Sequence, residues 1–241
     1  MSLTIVGLGP GGGADLTQRA RAALERCTVL AGYTTYISLV RDLFPDKTVL
    51  TTPMRREEER CRLALEAAQT QDVALVCSGD PGVYGMAGLC LELAEEYPPV
   101  DIEIVPGVTA ATAGAAVLGA PLMHDFAVVS LSDLMTPWEL IERRLEAAAA
   151  ADFVLCLYNP ASRARKDHLR RACEAVLRYR APDTPCGWVR NVGRVGEESR
   201  VLTLNELKSE QLDMFTTVFI GSSRTTVLHG RLVTPRGYLQ R

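Results

Sequence analysis

The chain has 241 residues, of which 47% are hydrophobic, so it can bury a core large enough for one large or two modest domains. Its formal net charge is −3, and because no global basic field would attract nucleic acid, we expect no nucleic-acid partner. The sequence opens in a strand-like run without a charged and apolar leader, and no apolar run reaches the roughly 20 residues needed to cross a bilayer. We therefore expect a cytoplasmic protein without a membrane partner.

Strand-like and helical patterns alternate along the chain, which predicts an α/β fold. The predicted strands of the first half cover residues 3–6, 27–31, 48–51, 73–77 and 101–105, and the helices include residues 17–25, 57–69 and 86–95. The predicted strands of the second half cover residues 127–131, 153–158, 185–190, 199–203 and 216–220, with helices at residues 137–150 and 164–177. Thr136 is expected to cap the first of these two helices, with Pro137 in its first turn. We place the domain boundary near residue 120, which gives domains at residues 1–120 and 121–241.

The first strand runs into a glycine-rich loop. Gly7, Gly9 and Gly12 fit the G-x-G-x-x-G spacing of dinucleotide-binding folds, although such a match alone is weak. Pro10 removes an N–H from the turn that would hold a pyrophosphate, and the next apolar run, at residues 28–32, ends without the acidic residue that would bind a ribose. The loop is therefore predicted to serve a ligand other than NAD.

A second loop follows the apolar strand at residues 73–77. Gly79 and Gly82 permit close approach of the backbone to a ligand, Pro81 fixes the turn, and Asp80 offers a carboxylate at the carboxyl end of a strand. Open α/β sheets bind their ligands at that edge. An ordinary Asp-Pro-Gly turn is the structural alternative.

A third loop connects an alternating strand at residues 101–105 to a small-residue helix at residues 110–118. Its sequence is Pro-Gly-Val-Thr at residues 106–109. A helix that packs closely against the sheet would explain the small residues without any ligand.

Together the three loops resemble those of a known family. The G-x-G-P-G loop at residues 7–11, S-G-D-P at residues 78–81 and P-G-V-T-A at residues 106–110, in this order and spacing, are similar to those of the tetrapyrrole (corrin/porphyrin) methylases. Residues 32–36, 123–138, 157–163 and 219–225 further resemble one branch, the precorrin-3B C(17)-methyltransferases of cobalamin biosynthesis. The resemblance covers the whole chain.

The resemblance implies two α/β domains with a cofactor cleft between them, and a homodimer. It implies an enzyme that uses S-adenosyl-L-methionine to methylate C17 of precorrin-3B, a tetrapyrrole polycarboxylate, with ring contraction to precorrin-4. The alternatives are the cobalt-precorrin-3 enzyme of the anaerobic route and another methylase of the family. By their place in the family motifs, the residues expected to bind the methyl donor are Pro10, Gly79, Asp80, Val83, Thr109, Ala110, Tyr158, Asn191, Thr216 and Thr217.

Ring contraction moves protons, so the branch-specific segment supplies candidate acid–base groups. These candidate catalytic residues are His124, Asp125, Ser132 and Asp133. Each has a structural alternative: His124 could cap a turn, Asp125 could pair with an arginine, and Ser132 and Asp133 could cap the next helix. His168 and His229 are interpreted as structural.

Two further residue types bear on ligands. Arg163, Arg165 and Lys166 lie near a predicted helix start and could receive substrate carboxylates. The seven cysteines show no C-x-x-C spacing, so we expect buried thiols and neither a metal nor an iron–sulfur cluster.

Three rival classes stay open at this point. A dinucleotide-dependent oxidoreductase would bind NAD(P)H, and a nucleic-acid methylase of the same fold would need a basic surface stripe. A non-catalytic binding module would bind the ligand without transferring a methyl group.

Overall fold

The structure, a computed structural model, describes residues 1–162 and 165–238. The chain divides into two compact units, residues 1–110 and 111–241, and both contain sheets with parallel strands and flanking helices. The predicted α/β fold class is confirmed. The predicted domain boundary near residue 120 lies inside the second unit and stays a prediction. Within the described ranges, none of the helices has the length and apolar character that a bilayer span requires.

The first unit is built on a five-stranded sheet in the order β3-β2-β4-β1-β5, in which every pairing is parallel. Its strands are β1 (Ser2–Gly7), β2 (Val29–Tyr33), β3 (Thr48–Thr52), β4 (Val73–Cys77) and β5 (Asp101–Val105). The central strand β4 has the sequence VALVC and is buried along its whole length. A continuous apolar run of this kind is what a parallel strand covered on both faces requires.

Helices cover both faces of this sheet. They are α1 (Gln18–Arg26), α2 (Thr34–Ser38), α3 (Glu57–Ala68) and α4 (Ala87–Ala94). The buried residues of α1 and α2 form one core cluster with Leu30 and Val76, and those of α3 and α4 form another with Leu3 and Leu75. Helix α1 begins where the Thr17 side chain accepts a hydrogen bond from the Ala20 N–H at 3.0 Å.

The strand order creates a switch point beside β1. The connection through α1 leaves β1 toward β2 on one side, whereas the connection through α4 leaves the neighbouring β4 toward β5 on the other side. In open α/β sheets, ligands bind outside the carboxyl ends of two such strands. The loops after β1 and β4 therefore occupy the position where this fold can hold a ligand.

The second unit contains a mixed five-stranded sheet in the order β10-β9-β11-β8-β7, of which β7 and β8 are parallel. Its strands are β7 (Phe126–Ser130), β8 (Val154–Tyr158), β9 (Pro185–Arg190), β10 (Glu198–Thr203) and β11 (Thr216–Ile220). A smaller sheet has the order β12-β13-β6 and consists of β6 (Gly119–Ala120), β12 (Thr226–Leu228) and β13 (Arg231–Val233). His229 and Gly230, both with positive φ, form the turn that joins β12 to β13.

Four helices flank the larger sheet. They are α5 (Ala110–Leu118), α6 (Trp138–Ala150), α7 (His168–Val176) and α8 (Leu204–Leu207). Buried residues of α6, α7 and α8 form one core cluster with Leu155 and Val218. Helix α5 lies close to β11, because a Cβ on Gly114 would lie 3.0 Å from two ring atoms of the buried Phe219. Close packing, the structural alternative given for the small residues of this helix, is thus observed at Gly114.

Two predicted helix starts were wrong. The second-half helix was predicted from residue 164, which lies outside the described residues; the helix begins at His168, since residues 162 and 165 form an isolated bridge and Asp167 is the N-cap. Helix α6 begins at Trp138 with Pro137 as its N-cap, and no side chain caps it, so neither Thr136 nor Ser132 and Asp133 have that role. Proline explains the late start, since the extended ψ of 141° at Pro137 places it outside the helix.

Two helical glycines give a matched test of the packing. Gly88 in α4 is exposed, and a Cβ added there would have no atom within 4 Å, so Gly88→Ala should raise the free energy of unfolding by about 0.5–1 kcal/mol. Gly114→Ala gains the same helix propensity but places its methyl group 3.0 Å from the Phe219 ring, so its effect on the free energy of unfolding should be less favourable than that of Gly88→Ala by about 1 kcal/mol or more. Denaturant unfolding of both variants measures the difference. Equal effects of the two substitutions would contradict the close contact between α5 and β11.

Candidate functional site

Backbone hydrogen bonds join the loops that follow β1 and β4. The Gly9 N–H donates to the Gly79 carbonyl at 3.2 Å, and the Gly79 N–H donates to the Gly9 carbonyl at 2.8 Å. The Leu8 N–H also donates to the Cys77 carbonyl at 2.8 Å. The chain thus forms one short antiparallel bridge at the switch point, beyond the ends of two parallel strands.

The Asp80 carboxylate ties the loop after β4 to the loop after β5. Its Oδ1 accepts from the Gly82 N–H at 2.8 Å, within the same loop. Its Oδ2 accepts from the Gly107 N–H at 3.1 Å, in the Pro-Gly-Val-Thr loop. Because both oxygens accept hydrogen bonds from backbone donors, the main role of Asp80 is to hold the two loops together, rather than to offer its charge to a ligand.

Glycine is required where these loops meet. A Cβ on Gly107 would lie 2.1 Å from the Gly79 carbonyl oxygen, and a Cβ on Gly7 would lie 2.5 Å from the Gly107 nitrogen. At Gly79 the requirement is conformational instead, since its φ is +67° and the nearest atom to an added Cβ is the Thr109 Cα at 3.8 Å. No side chain fills the position that a Cβ on Gly79 would take. Backbone groups therefore line this part of the site.

Six of the predicted donor-binding residues belong to the first unit: five lie in these three loops, and Ala110 begins α5 directly after the third. They are Pro10, Gly79, Asp80, Val83, Thr109 and Ala110. The Val83 N–H donates to the Asp80 carbonyl at 3.3 Å, which closes the turn. Tyr84 follows with a φ of +52° and a 56% exposed side chain. Left-handed backbone at a non-glycine residue is costly and is concentrated at functional sites.

The other four predicted donor-binding residues share one edge of the larger sheet of the second unit. Tyr158 ends β8, Asn191 follows β9, and Thr216 and Thr217 begin β11, which runs antiparallel to both. The Tyr158 hydroxyl accepts from the Ala111 N–H at 2.8 Å, in the first turn of α5. The Thr216 hydroxyl donates to Asp213 Oδ1 at 3.0 Å, and the Asn191 N–H donates to the Phe215 carbonyl at 3.1 Å.

The four predicted acid–base residues do not form one cluster. His124 and Asp125 precede β7, whereas Ser132 and Asp133 follow it, and a five-residue strand spans roughly 16 Å. His124 and Asp125 contact each other, with Nδ1 and Oδ2 3.3 Å apart, and their side chains are 46% and 77% exposed. The Asp125 carbonyl accepts from the Val154 N–H at the start of β8. A site at the carboxyl end of β7 can therefore include Ser132 and Asp133 but not the other two.

Asp133 meets a histidine at the carboxyl end of β7. Its Oδ2 lies 3.0 Å from His168 Nε2, which is hydrogen-bond distance without full hydrogen-bond alignment. The adjoining His168 imidazole is the main influence that holds the pKa of the Asp133 carboxyl below its usual range, and Arg165 adds a smaller one. Asp133 is therefore ionised at neutral pH, so it can accept hydrogen bonds but is a poor proton donor.

The predicted carboxylate-binding group is only partly described. Arg163 lies outside the described residues, and Lys166 is exposed. The Arg165 side chain is 13% exposed, and its Nε donates to Ser162 Oγ at 3.1 Å and lies 4.0 Å from Asp133 Oδ1. Arg165 thus lies beside Asp133, while its buried Nη1 has no hydrogen-bond partner among the described residues.

Comparison with known proteins identifies the family. The family model of the Tetrapyrrole (Corrin/Porphyrin) Methylases matches residues 2–208. A probable cobalt-factor III C(17)-methyltransferase of Salmonella typhimurium is 48% identical over 98% of this chain and 99% of its own length. The chain belongs to the tetrapyrrole methylase family. The resemblance that the three glycine loops carry is thereby confirmed.

Two solved structures show the same fold as this tetrapyrrole methylase. The crystal structure of the methyltransferase CobJ is 35% identical, covers 97% of this chain and 99% of its own, and has a TM-score of 0.89. A uroporphyrin-III C-methyl transferase of Thermus thermophilus, complexed with S-adenyl homocysteine, has a TM-score of 0.71. It is 23% identical, covers 92% of this chain and 97% of its own, and shows likeness of fold alone.

The cysteines of this methylase are buried thiols, as the sequence predicted. All seven are free and buried, and burial raises the pKa of Cys77 and of Cys173 to about 12. Over residues 1–162 and 165–238, His, Cys, Asp and Glu side chains form no group of three or more that could hold a metal ion.

His168, interpreted from the sequence as structural, is a partner of Asp133 that the sequence did not indicate. The two residues are far apart in the chain, and the parallel pairing of β7 with β8, with Ser130 opposite Tyr158, brings their loops together. The adjacent strand ends also place Asn159 Nδ2 3.0 Å from Ser130 Oγ. Only the pairing of β7 with β8, which the sequence pattern left open, could have indicated these contacts.

The role of Asp80 in holding the loops can be tested through stability. Asp80→Asn places an amide N–H₂ against one of two backbone donors, so the free energy of unfolding should fall by about 1–3 kcal/mol. Asp46→Asn is the control, because Asp46 is exposed and should change it by no more than about 0.5 kcal/mol. Equal stabilities in denaturant unfolding would show that the Asp80 carboxylate does not hold the two loops.

Proposed function

We propose that this tetrapyrrole methylase transfers a methyl group from S-adenosyl-L-methionine to C17 of a tetrapyrrole in cobalamin biosynthesis, with contraction of the ring. The observation that carries the proposal is the 48% identity to a C(17)-methyltransferase over nearly the full length of both chains. The likeness to CobJ over 97% of the chain supports the same conclusion.

The loops of the first unit suit a sulfonium methyl donor. The methyl group of S-adenosylmethionine is already activated, so an enzyme has mainly to hold donor and acceptor in line and to exclude water. A cradle of backbone groups at Gly79, Val83, Thr109 and Ala110 meets that need, because backbone dipoles stay fixed without a titrating group. The Thermus uroporphyrin-III C-methyl transferase of the same fold was solved with S-adenyl homocysteine, which supports this choice of ligand.

We assign the second set of donor contacts to the edge where β8, β9 and β11 meet. Tyr158, Asn191, Thr216 and Thr217 supply hydroxyl, amide and backbone groups there. Ser132 and Asp133 lie beyond β7 at this same edge of the sheet, and we assign proton transfer during ring contraction to them. His124 and Asp125 lie at the opposite edge and have no part in the proposed proton transfer.

The substrate carries either cobalt or no metal. The Salmonella typhimurium relative is named for cobalt-factor III, which supports the cobalt-containing tetrapyrrole as the first substrate to test. Precorrin-3B, converted to precorrin-4, is the metal-free substrate that the sequence resemblance favours. Homodimer formation remains a prediction from that resemblance, and a cytoplasmic location remains a prediction from the sequence pattern.

Methyl transfer can be tested directly. Incubation with labelled S-adenosylmethionine and either tetrapyrrole should give a product that has gained one methyl mass and has the absorption spectrum of a contracted ring. The ratio of kcat/KM for the two substrates identifies the preferred one. Donor binding without transfer to either substrate would contradict the proposal and favour a non-catalytic binding module.

Donor binding at Gly79 can be separated from backbone strain. Asparagine tolerates positive φ, so Gly79→Asn should keep the loop while its side chain occupies the space beside Thr109 and Ala110. Calorimetry should show at least about tenfold weaker binding of S-adenosylhomocysteine, since a blocked backbone contact of about 1.4 kcal/mol has that effect.

The matched control is Gly230→Asn in the β12–β13 turn. Gly230 has a φ of +76° and open space at its Cβ position, so this variant imposes the same backbone demand in a turn of the second unit. It should bind S-adenosylhomocysteine as the wild-type chain does. Undiminished affinity in a folded Gly79→Asn variant would remove Gly79 from the donor site.

A further inference from the structure

The loop that carries Asp133 has few anchors of its own. It covers residues 131–137 between β7 and α6, and it contains no helix or strand. Leu134 and Met135, directly after Asp133, are 67% and 95% exposed. Its anchors lie on the side of β7, where the buried Leu131 donates its N–H to the Tyr158 carbonyl at 2.9 Å and the Ser132 N–H donates to Ser130 Oγ at 3.2 Å. The direction of the Asp133 side chain therefore depends on what it contacts across the loop.

His168 is a rigid partner for that side chain. It is the first residue of α7 and 8% exposed. The Trp138 ring packs edge-on against its imidazole, with centroids 4.9 Å apart and an interplanar angle of 77°. Trp138 is itself covered by the Arg171 guanidinium, 4.1 Å from the ring centroid. Helix position, burial and aromatic packing thus fix where His168 presents its Nε2.

The imidazole also carries an unmet polar atom. Both His168 nitrogens are buried; among residues 1–162 and 165–238, Nδ1 has no hydrogen-bond partner, and Nε2 has the 3.0 Å contact with Asp133 Oδ2, which is not fully aligned. Burying an unpaired polar atom costs about 1–3 kcal/mol, so an apolar side chain at residue 168 would stabilise the fold better. A fold that retains such a group at the edge of its proposed site has a use for the other nitrogen of the ring.

We propose that His168 is a positioning residue, which holds the Asp133 carboxylate at the carboxyl end of β7 so that it faces the tetrapyrrole. This inference rests on the proposed function and deepens it. His168 is too buried to touch the substrate, and it acts through Asp133. Asp133, ionised and fixed, serves as a hydrogen-bond acceptor that orients the substrate or an adjacent hydroxyl for ring contraction.

Two amide substitutions of equal chemistry test this role. The amide nitrogen of His168→Gln reaches the position of Nε2 and keeps a donor for Asp133, whereas His168→Asn is one carbon shorter and does not reach it. We expect His168→Asn to lower kcat for ring contraction about 10²-fold, the loss typical of a misplaced group, with KM and S-adenosylhomocysteine affinity within about threefold of wild type. His168→Gln should restore most of that loss.

The double variant and a direct titration complete the test. The double variant His168→Asn, Asp133→Asn should contract the ring no more slowly than Asp133→Asn alone, because both substitutions break the same interaction between Asp133 and His168. Carboxyl NMR should show the pKa of Asp133 below its usual range in the wild-type chain and raised in His168→Asn. His229→Asn, in the β12–β13 turn, is the control for loss of a histidine and should change none of these readouts.

Several results would overturn the inference while the proposed function stands. One is a wild-type kcat for ring contraction in a folded His168→Asn variant, and another is an equal loss of kcat in His168→Gln and His168→Asn. The others are losses of kcat that multiply in the double variant, and a pKa of Asp133 that is the same in His168→Asn as in the wild-type chain. If His168→Asn does not fold, His168→Gln and Asp133→Asn decide: activity must survive in the first and fall about 10²-fold in the second. A wild-type chain that transfers no methyl group contradicts the proposed function itself.

Discussion

The Asp80 carboxylate connects two backbone N–H groups, and the arrangement of the three loops depends on that connection. The parallel order β3-β2-β4-β1-β5 brings the carboxyl ends of β4, β1 and β5 side by side, so the loops that follow them must share a small space. They do so by direct backbone contact at Gly7, Gly79 and Gly107, which excludes a Cβ at Gly7 and Gly107. One carboxylate then satisfies a donor from each of two loops. The same contacts leave backbone groups, rather than side chains, to face a ligand.

This construction explains why the loops identify the family so well from sequence. Backbone contact requires glycine at fixed positions, and the turn at residues 78–83 requires Asp80 followed by Pro81. The structure of the loops therefore determines which residue types appear in the sequence at these positions. The strands were equally predictable where burial is complete: β4 covers Val73–Cys77, as its unbroken apolar run indicated. The two-sided burial of a parallel strand leaves no other pattern.

Where position depends on strand pairing, the sequence was a weaker guide. His124, Asp125, Ser132 and Asp133 are close in the chain, but β7 runs between the two pairs and carries them to opposite edges of the sheet. Conversely, Asp133 and His168 are distant in the chain and meet because β7 and β8 are parallel neighbours. Helix α7 begins four residues later than predicted, and this places His168 at its first turn. The positions of these acidic and histidine side chains do not follow from periodicity or local turn chemistry, because they require the order of the strands.

The two units thus offer different chemistry. The first presents backbone groups whose polarity is independent of pH, which suits a donor that needs only positioning. The second presents Asp133, whose pKa is lowered, so the stabilisation from its charge is present above the pKa of an unfolded aspartate and is lost as the pH falls through the folded-state value.

Donor binding by the loops of the first unit is tested most directly by hydrogen exchange of the backbone amides with and without S-adenosylhomocysteine. We expect slower exchange at residues 79–83 and 109–110 when the ligand is bound. Unchanged exchange there, with protection confined to other segments, would contradict a donor site built from these loops.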